Sequence, residues 1–248
     1  MVGDWTLAEL IAFRRIFYSR QTGNWTDDQS WTANSSHSGP IFGVGAFPNI
    51  VQDSVVIGGG NLGVNNHVIT LDVAGSVTIG GLALGTSPTN TGTLMTGTNI
   101  INGLHFTMGE LSTLGIGSAD GISALGNATG NIQTTVLRDF ATAPQRSSFI
   151  YNGTQNQITG NGLPANVENL TIDNSGIVND NTVLLQSSPT VEGDLNILQG
   201  IADINTQTVN SNGTGAMNIS ANARLRISGT NDLITSVNNY STYGIDIN

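Results

Sequence analysis

One pattern recurs along the chain and limits what it can become: two apolar residues flanking a single residue, in runs of three to six, bounded by Gly, Asn, Thr or Ser. Val55-Val56-Ile57, Ile69-Thr70-Leu71, Val77-Thr78-Ile79, Leu104-His105-Phe106 and Leu114-Gly115-Ile116 carry it in the first half. Leu170-Thr171-Ile172, Val183-Leu184-Leu185, Leu195-Asn196-Ile197, Met217-Asn218-Ile219 and Leu225-Arg226-Ile227 carry it in the second. Successive side chains of a strand point to opposite faces, so each kernel sets two apolar groups on one side and its middle residue on the other. Runs this short, separated by this many turn formers, predict many brief strands and an all-β fold.

The order of the kernels repeats. Matching their last residues, Ile57 with Ile172, Leu71 with Leu185, Ile79 with Ile197, Phe106 with Ile219 and Ile116 with Ile227, gives offsets of 115, 114, 118, 113 and 111 residues. Conserved order with slightly drifting spacing is what turn insertions produce in two copies of one unit. Between kernels the step is often 22 to 27 residues, as from Ile57 to Ile79 or Ile172 to Ile197, which suits one coil of a parallel β-helix, or β-solenoid. Coils stacked about 4.8 Å apart pool a core that none could form alone. Tandem β-sandwiches of about 110 residues are the competing architecture. The density of turns and the scarcity of long alternating strands favour the β-helix.

Composition agrees with stacked strands and excludes several partners. Charged residues are 10% of the 248, against about 25% in ordinary soluble domains, and all seven basic residues are Arg. The surface is therefore built from Asn, Thr, Ser, Gln and Gly, which can ladder by amide and hydroxyl hydrogen bonds. A net charge of −10 repels phosphate backbones and anionic membranes, so nucleic acid is not an expected partner. No run reaches the 18 or so apolar residues of a membrane span, and no membrane insertion is expected. Without cysteine the fold uses no disulfide.

The opening residues read differently. Thr6 and Glu9 form a capping box, Leu7, Leu10 and Ile11 share a face, and Arg14 and Arg15 suit a helix C-terminus, so 1–17 is expected to be a short α-helix capping the β core. Glu9 interrupts the apolar stretch and the arginines follow it, so no signal peptide is expected. The expected organisation is a helical cap over 1–17, a Trp-containing entry segment over 18–50, solenoid copy one over 51–148 and copy two over 149–248.

A resemblance follows from particular residues. FYSRQTGNWTDDQSW and AFPNIVQDSVVIGGG, within 17–60, combine Tyr18-Ser19, Gly23-Asn24-Trp25, the acidic pair Asp27-Asp28, Trp31, a turn at Pro48 and a strand from Asp53 to Ile57. FIYNGTQNQ, VENLTID and DLNILQG follow in the second half. These stretches resemble the β-helical repeat regions of large secreted, adhesin-like cell-surface proteins of gliding bacteria exported by type IX secretion. The resemblance implies a non-enzymatic structural or adhesive role at the cell surface, with surface glycans or other surface proteins as partners. It also implies a piece of a longer protein, since the export signal and sorting domain of that family are not evident.

Candidate chemistry is sparse. Trp25 and Trp31, with Asp27 and Asp28 between them, are the residues that could stack a sugar ring and hydrogen-bond its hydroxyls; filling the first coil is their alternative role. Asp27, Asp28 and Asp53 are the candidates for calcium, although they match no EF-hand spacing and no metal is expected. Glu192 and Asp194 point the same way if they lie in a strand, as a carbohydrate-active enzyme on the same fold would require. His37, His67 and His105 are far apart in sequence and lack metal-ligand spacing. An exposed terminal coil would allow end-to-end self-association, a third expectation.

Overall fold

The computed structural model describes residues 15–58, 66–141, 146–211 and 215–227. These residues are all-β apart from one 3-10 turn, Asp28–Ser30, and no helix among them is long and apolar enough to cross a membrane. The chain enters through β1 (Arg15–Ser19), β2 (Gly23–Asn24) and β3 (Trp31–Thr32). It then alternates between two sheets through β4 (Asp53–Ile57), β5 (His67–Thr70), β6 (Ser76–Leu84), β7 (Gly92–Met95), β8 (Ile100–Met108), β9 (Thr113–Ile116) and β10 (Ile132–Phe140). The first sheet has the order β10-β8-β6-β4-β1-β3, and the second begins β2-β5-β7-β9.

From β11 (Ser148–Tyr151) onward the chain visits three sheets in rotation. β11, β14 (Leu170–Asp173), β17 (Leu195–Gln199) and β20 (Met217–Ile219) extend the second sheet to eight strands. A third sheet stacks β12 (Gln157–Ile158), β15 (Thr182–Leu184), β18 (Ile201–Asp203) and β21 (Arg224–Arg226). The fourth stacks β13 (Asn166–Val167), β16 (Thr190–Val191) and β19 (Asn210–Ser211). Strands pair in parallel within all four sheets, except that β3 folds back antiparallel on β1. Parallel pairing departs from the antiparallel sheets that tandem β-sandwiches require.

Register explains why the kernels are apolar. Up the second sheet, Ile69, Leu94, Leu114, Phe149, Leu170, Leu195 and Met217 face one another as one buried column. Ile116, Tyr151, Ile172 and Ile197 form a second. Each such side chain contributes about 1.5–3 kcal/mol of hydrophobic stabilisation before conformational entropy is counted. Middle residues of the kernels point outward, where Asn218 Nδ2 donates to Asn196 Oδ1 at 2.8 Å. Beside them, Asn169 Nδ2 donates to Ser148 Oγ (3.1 Å), Asn169 Oδ1 accepts from the Asp194 amide (2.7 Å) and Asp194 Oδ1 accepts from the Ala216 amide (2.9 Å). Polar columns of this kind link successive strands with Asp194 as the one carboxylate among the groups named.

Two expectations change in the folded chain. The helix expected over 1–17 lies outside the described residues as far as 14, and its last three residues belong to β1 instead. Phe17 is drawn into the strand because it is buried there, stacked on Phe42 with ring centroids 4.0 Å apart. The sequence offset, for its part, does not return a kernel to the same sheet. Ile57, Ile79 and Phe106 belong to the first sheet while Ile172, Ile197 and Ile219 belong to the second. Ile116 ends β9 of the second sheet, and its counterpart Ile227 follows β21 of the third. Each counterpart is thus displaced by one sheet. The 148/149 boundary falls within β11, the strand where the path changes from two sheets to three.

Candidate ligand-binding cleft

The tryptophans expected to stack a sugar are fully buried. Trp25 Nε1 donates to the Pro48 carbonyl and Trp31 Nε1 to the Trp25 carbonyl, both at 2.8 Å, and the two rings meet edge to face at 5.3 Å. Neither ring offers a face to a ligand; both fill the entry of the fold with Phe17. Asp27 and Asp28 also serve the backbone. Asp27 Oδ1 accepts from the Gln29 amide at 2.9 Å, capping the 3-10 turn. Asp28 Oδ2 accepts from the Gly45 amide at 2.7 Å, and that bond, aided by Gln29 Nε2, holds its carboxyl below the usual range.

The remaining carboxylates do not converge either. Asp53 is buried and paired with Arg15 Nε at 2.6 Å, and its Oδ2 also accepts from the Asn49 and Ile50 amides. Among the described residues no group of three His, Cys, Asp or Glu side chains is placed to hold a metal ion. Glu192 pairs with Arg146 Nη2 at 3.0 Å, whereas Asp194 binds the Ala216 amide. These two carboxylates are therefore engaged by different partners.

A grouping that sequence spacing conceals joins Ser19, His37 and His67, all buried. The Ser19 carbonyl lies 2.7 Å from His37 Nδ1 and 3.1 Å from His67 Nδ1, and Ser19 Oγ lies 3.0 Å from His67 Nδ1; because a carbonyl only accepts, these contacts favour the tautomer with the proton on Nδ1 in both rings. Ser19 Oγ donates to the Gly58 carbonyl at 2.9 Å and accepts from the Gly58 amide at 3.0 Å. In that tautomer Nδ1 takes no proton from the hydroxyl, and the three groups act as a structural knot. Burial lowers both histidine pKa values, and the charge of His37 lowers that of His67 further. His105 stands apart on an exposed face.

A cleft open to solvent lies over the outer face of the third sheet. Because Gln157, Val183 and Ala202 point inward and are buried, their neighbours are forced outward. Register aligns Ile158, Leu184, Asp203 and Arg226 in one outward column, and Thr182, Ile201 and Arg224 in the next. A cleft of about 510 Å³ opens over all of these but Arg224, with Asn156 and Asn179 on its wall. That volume lies in the range of about 300–1,000 Å³ usual for small-molecule sites.

The wall is braced by hydrogen bonds. Asn156 Oδ1 accepts from the Thr182 amide at 2.9 Å, and the Asn156 amide donates to Asp180 Oδ1 at 2.9 Å. Asn179 holds a left-handed backbone, φ 76°, which asparagine tolerates better than most residues. At the far end Arg226 Nη1 donates to Asp203 Oδ2 at 3.2 Å, while Asp203 Oδ1 accepts from the Asn205 amide at 2.9 Å. An aliphatic floor, an amide and hydroxyl wall and one internally balanced ion pair equip the cleft for binding. Its residues form no distinctive sequence motif, because they come from strands 19 to 26 residues apart.

With fold and cleft described, comparisons of the chain with protein-family models, curated proteins and solved structures find no match.

Proposed function

We propose that the four sheets close into a parallel β-solenoid and that the chain is a non-enzymatic structural and adhesive segment of a secreted bacterial cell-surface protein or filament. The observation that carries this reading is the unbroken second sheet, eight parallel strands from β2 to β20 with a buried apolar column running through seven of them, from Ile69 to Met217. Repeated strands present repeated outer positions, as at Asn196 and Asn218, and such a surface suits many weak contacts over one tight one. Surface glycans and other surface proteins are the partners in this reading, and the cell surface is its location. The likeness of the Trp25 and Asp53 stretches to type IX-exported adhesin repeats supports the same assignment.

The test displays the chain at high density on beads and measures their retention under flow on immobilised bacterial surface polysaccharide, beside an assay for released sugar. Retention of the beads, with no product released, is the expected outcome. Turnover of the polysaccharide, or passage of the beads at the rate of uncoated ones, overturns the reading.

A further inference from the structure

We infer that the cleft over the third sheet is a binding site for a short neutral oligosaccharide, an inference that rests on the adhesive reading and gives it a location. A sugar ring has one face of C–H groups and a rim of hydroxyls. The cleft offers the complement: Ile158, Leu184 and Ile201 as an aliphatic floor, with Asn179, Thr182 and the Asp203–Arg226 pair around it.

Three features favour this ligand over its rivals. A lipid or other apolar ligand would strand the ion pair and the amide wall against hydrocarbon, which costs free energy without compensating hydrogen bonds. A polyanion meets an Arg226 already matched by Asp203, on a chain of net charge −10. A peptide added as an extra strand needs a sheet edge, whereas this cleft exposes a sheet face. The ion pair is itself suited to vicinal hydroxyls, since Arg226 donates, Asp203 accepts, and the Arg226 side chain is 49% exposed. With aliphatic groups and no aromatic ring among the described residues of the lining, a single site binds weakly and depends on multivalency for retention.

Saturation-transfer NMR with cellohexaose, xylohexaose and maltohexaose, and with hexagalacturonate as the acidic comparator, tests the assignment on the whole chain. At least one neutral hexasaccharide is expected to bind the unmodified protein at about 1 mM, a weak single-site affinity. Leu184→Arg, which fills the floor, and Arg226→Gln, which replaces the rim guanidinium with a shorter uncharged amide, should each weaken binding about tenfold, the scale of one lost contact. Circular dichroism reports whether each variant folds, and Arg226→Gln decides the matter if Leu184→Arg does not. Absence of binding by every neutral sugar, equal or tighter binding of hexagalacturonate, or undiminished binding in folded Arg226→Gln overturns the inference. Bead retention separates the two claims. Beads carrying Arg226→Gln that adhere as strongly as the parent remove the cleft and leave adhesion standing, whereas failure of the parent beads removes the adhesive reading itself.

Discussion

At the scale of single residues, the entry segment shows how a side chain that looks like a ligand contact is used for packing. Trp25 is buried completely and its indole N–H is hydrogen-bonded to Pro48. Trp25→Ala should therefore cost about 3–5 kcal/mol of stability, from lost burial and the cavity left behind, measurable as a fall in the urea midpoint. The histidine knot makes a prediction in pH. Burial depresses the folded-state pKa values of His37 and His67 below the unfolded value of about 6.5. The unfolded chain then binds more protons just below that pH. Their contribution to stability is complete above about pH 6.5 and is lost as pH falls through the folded values. Melting temperatures should decline as pH falls below about 6.5, and less steeply in a His37→Gln/His67→Gln variant. Equal slopes would show that the two rings do not control the acid response.

At the scale of the element, the strands derive their stability from position in a column more than from their own length. β14 has four residues, yet Ile172 lies fully buried between Tyr151 and Ile197. Ile219, the next kernel residue along that column, is half-buried. Ile172→Ala should accordingly cost about 2–5 kcal/mol, and Ile219→Ala distinctly less, by urea titration of the two variants. A comparable loss at both positions would contradict the column argument. Turns between strands obey a different constraint. Gly160 has φ 78°, and a Cβ there would run into the Ile122 carbonyl, so the chain can pass this close to its neighbour only without a side chain.

At the scale of the whole molecule, the second sheet joins the two-sheet and three-sheet portions through the pairing of β9 with β11. The apolar column crosses the same junction from Leu114 to Phe149. The portions should therefore unfold together. In a Trp5→Phe variant, which leaves Trp25 and Trp31 as the two remaining tryptophans, fluorescence reports the entry and far-ultraviolet circular dichroism the sheets throughout, and the two should give coincident urea transitions. Fluorescence changing well before circular dichroism would mean that the portions behave as separate repeats.

The sequence alone makes the strands, their shortness and their inward residues legible, because the apolar-x-apolar kernels specify a buried face through the two-residue period of a strand. It also determined that the surface would be polar with little charge, since the residues for anything else are missing. The candidate site was not legible in this way. Trp25 and Trp31 have the composition of a sugar platform, and only their burial reveals that they are core. Ser19, His37 and His67 meet across 18 to 48 residues, and the cleft is assembled by the register of β12, β15, β18 and β21. Register also decided that kernels 111 to 118 residues apart occupy different sheets. Local sequence fixes which way a side chain points, but the loops set how far the chain travels before it pairs again, and that distance chooses each residue's neighbours.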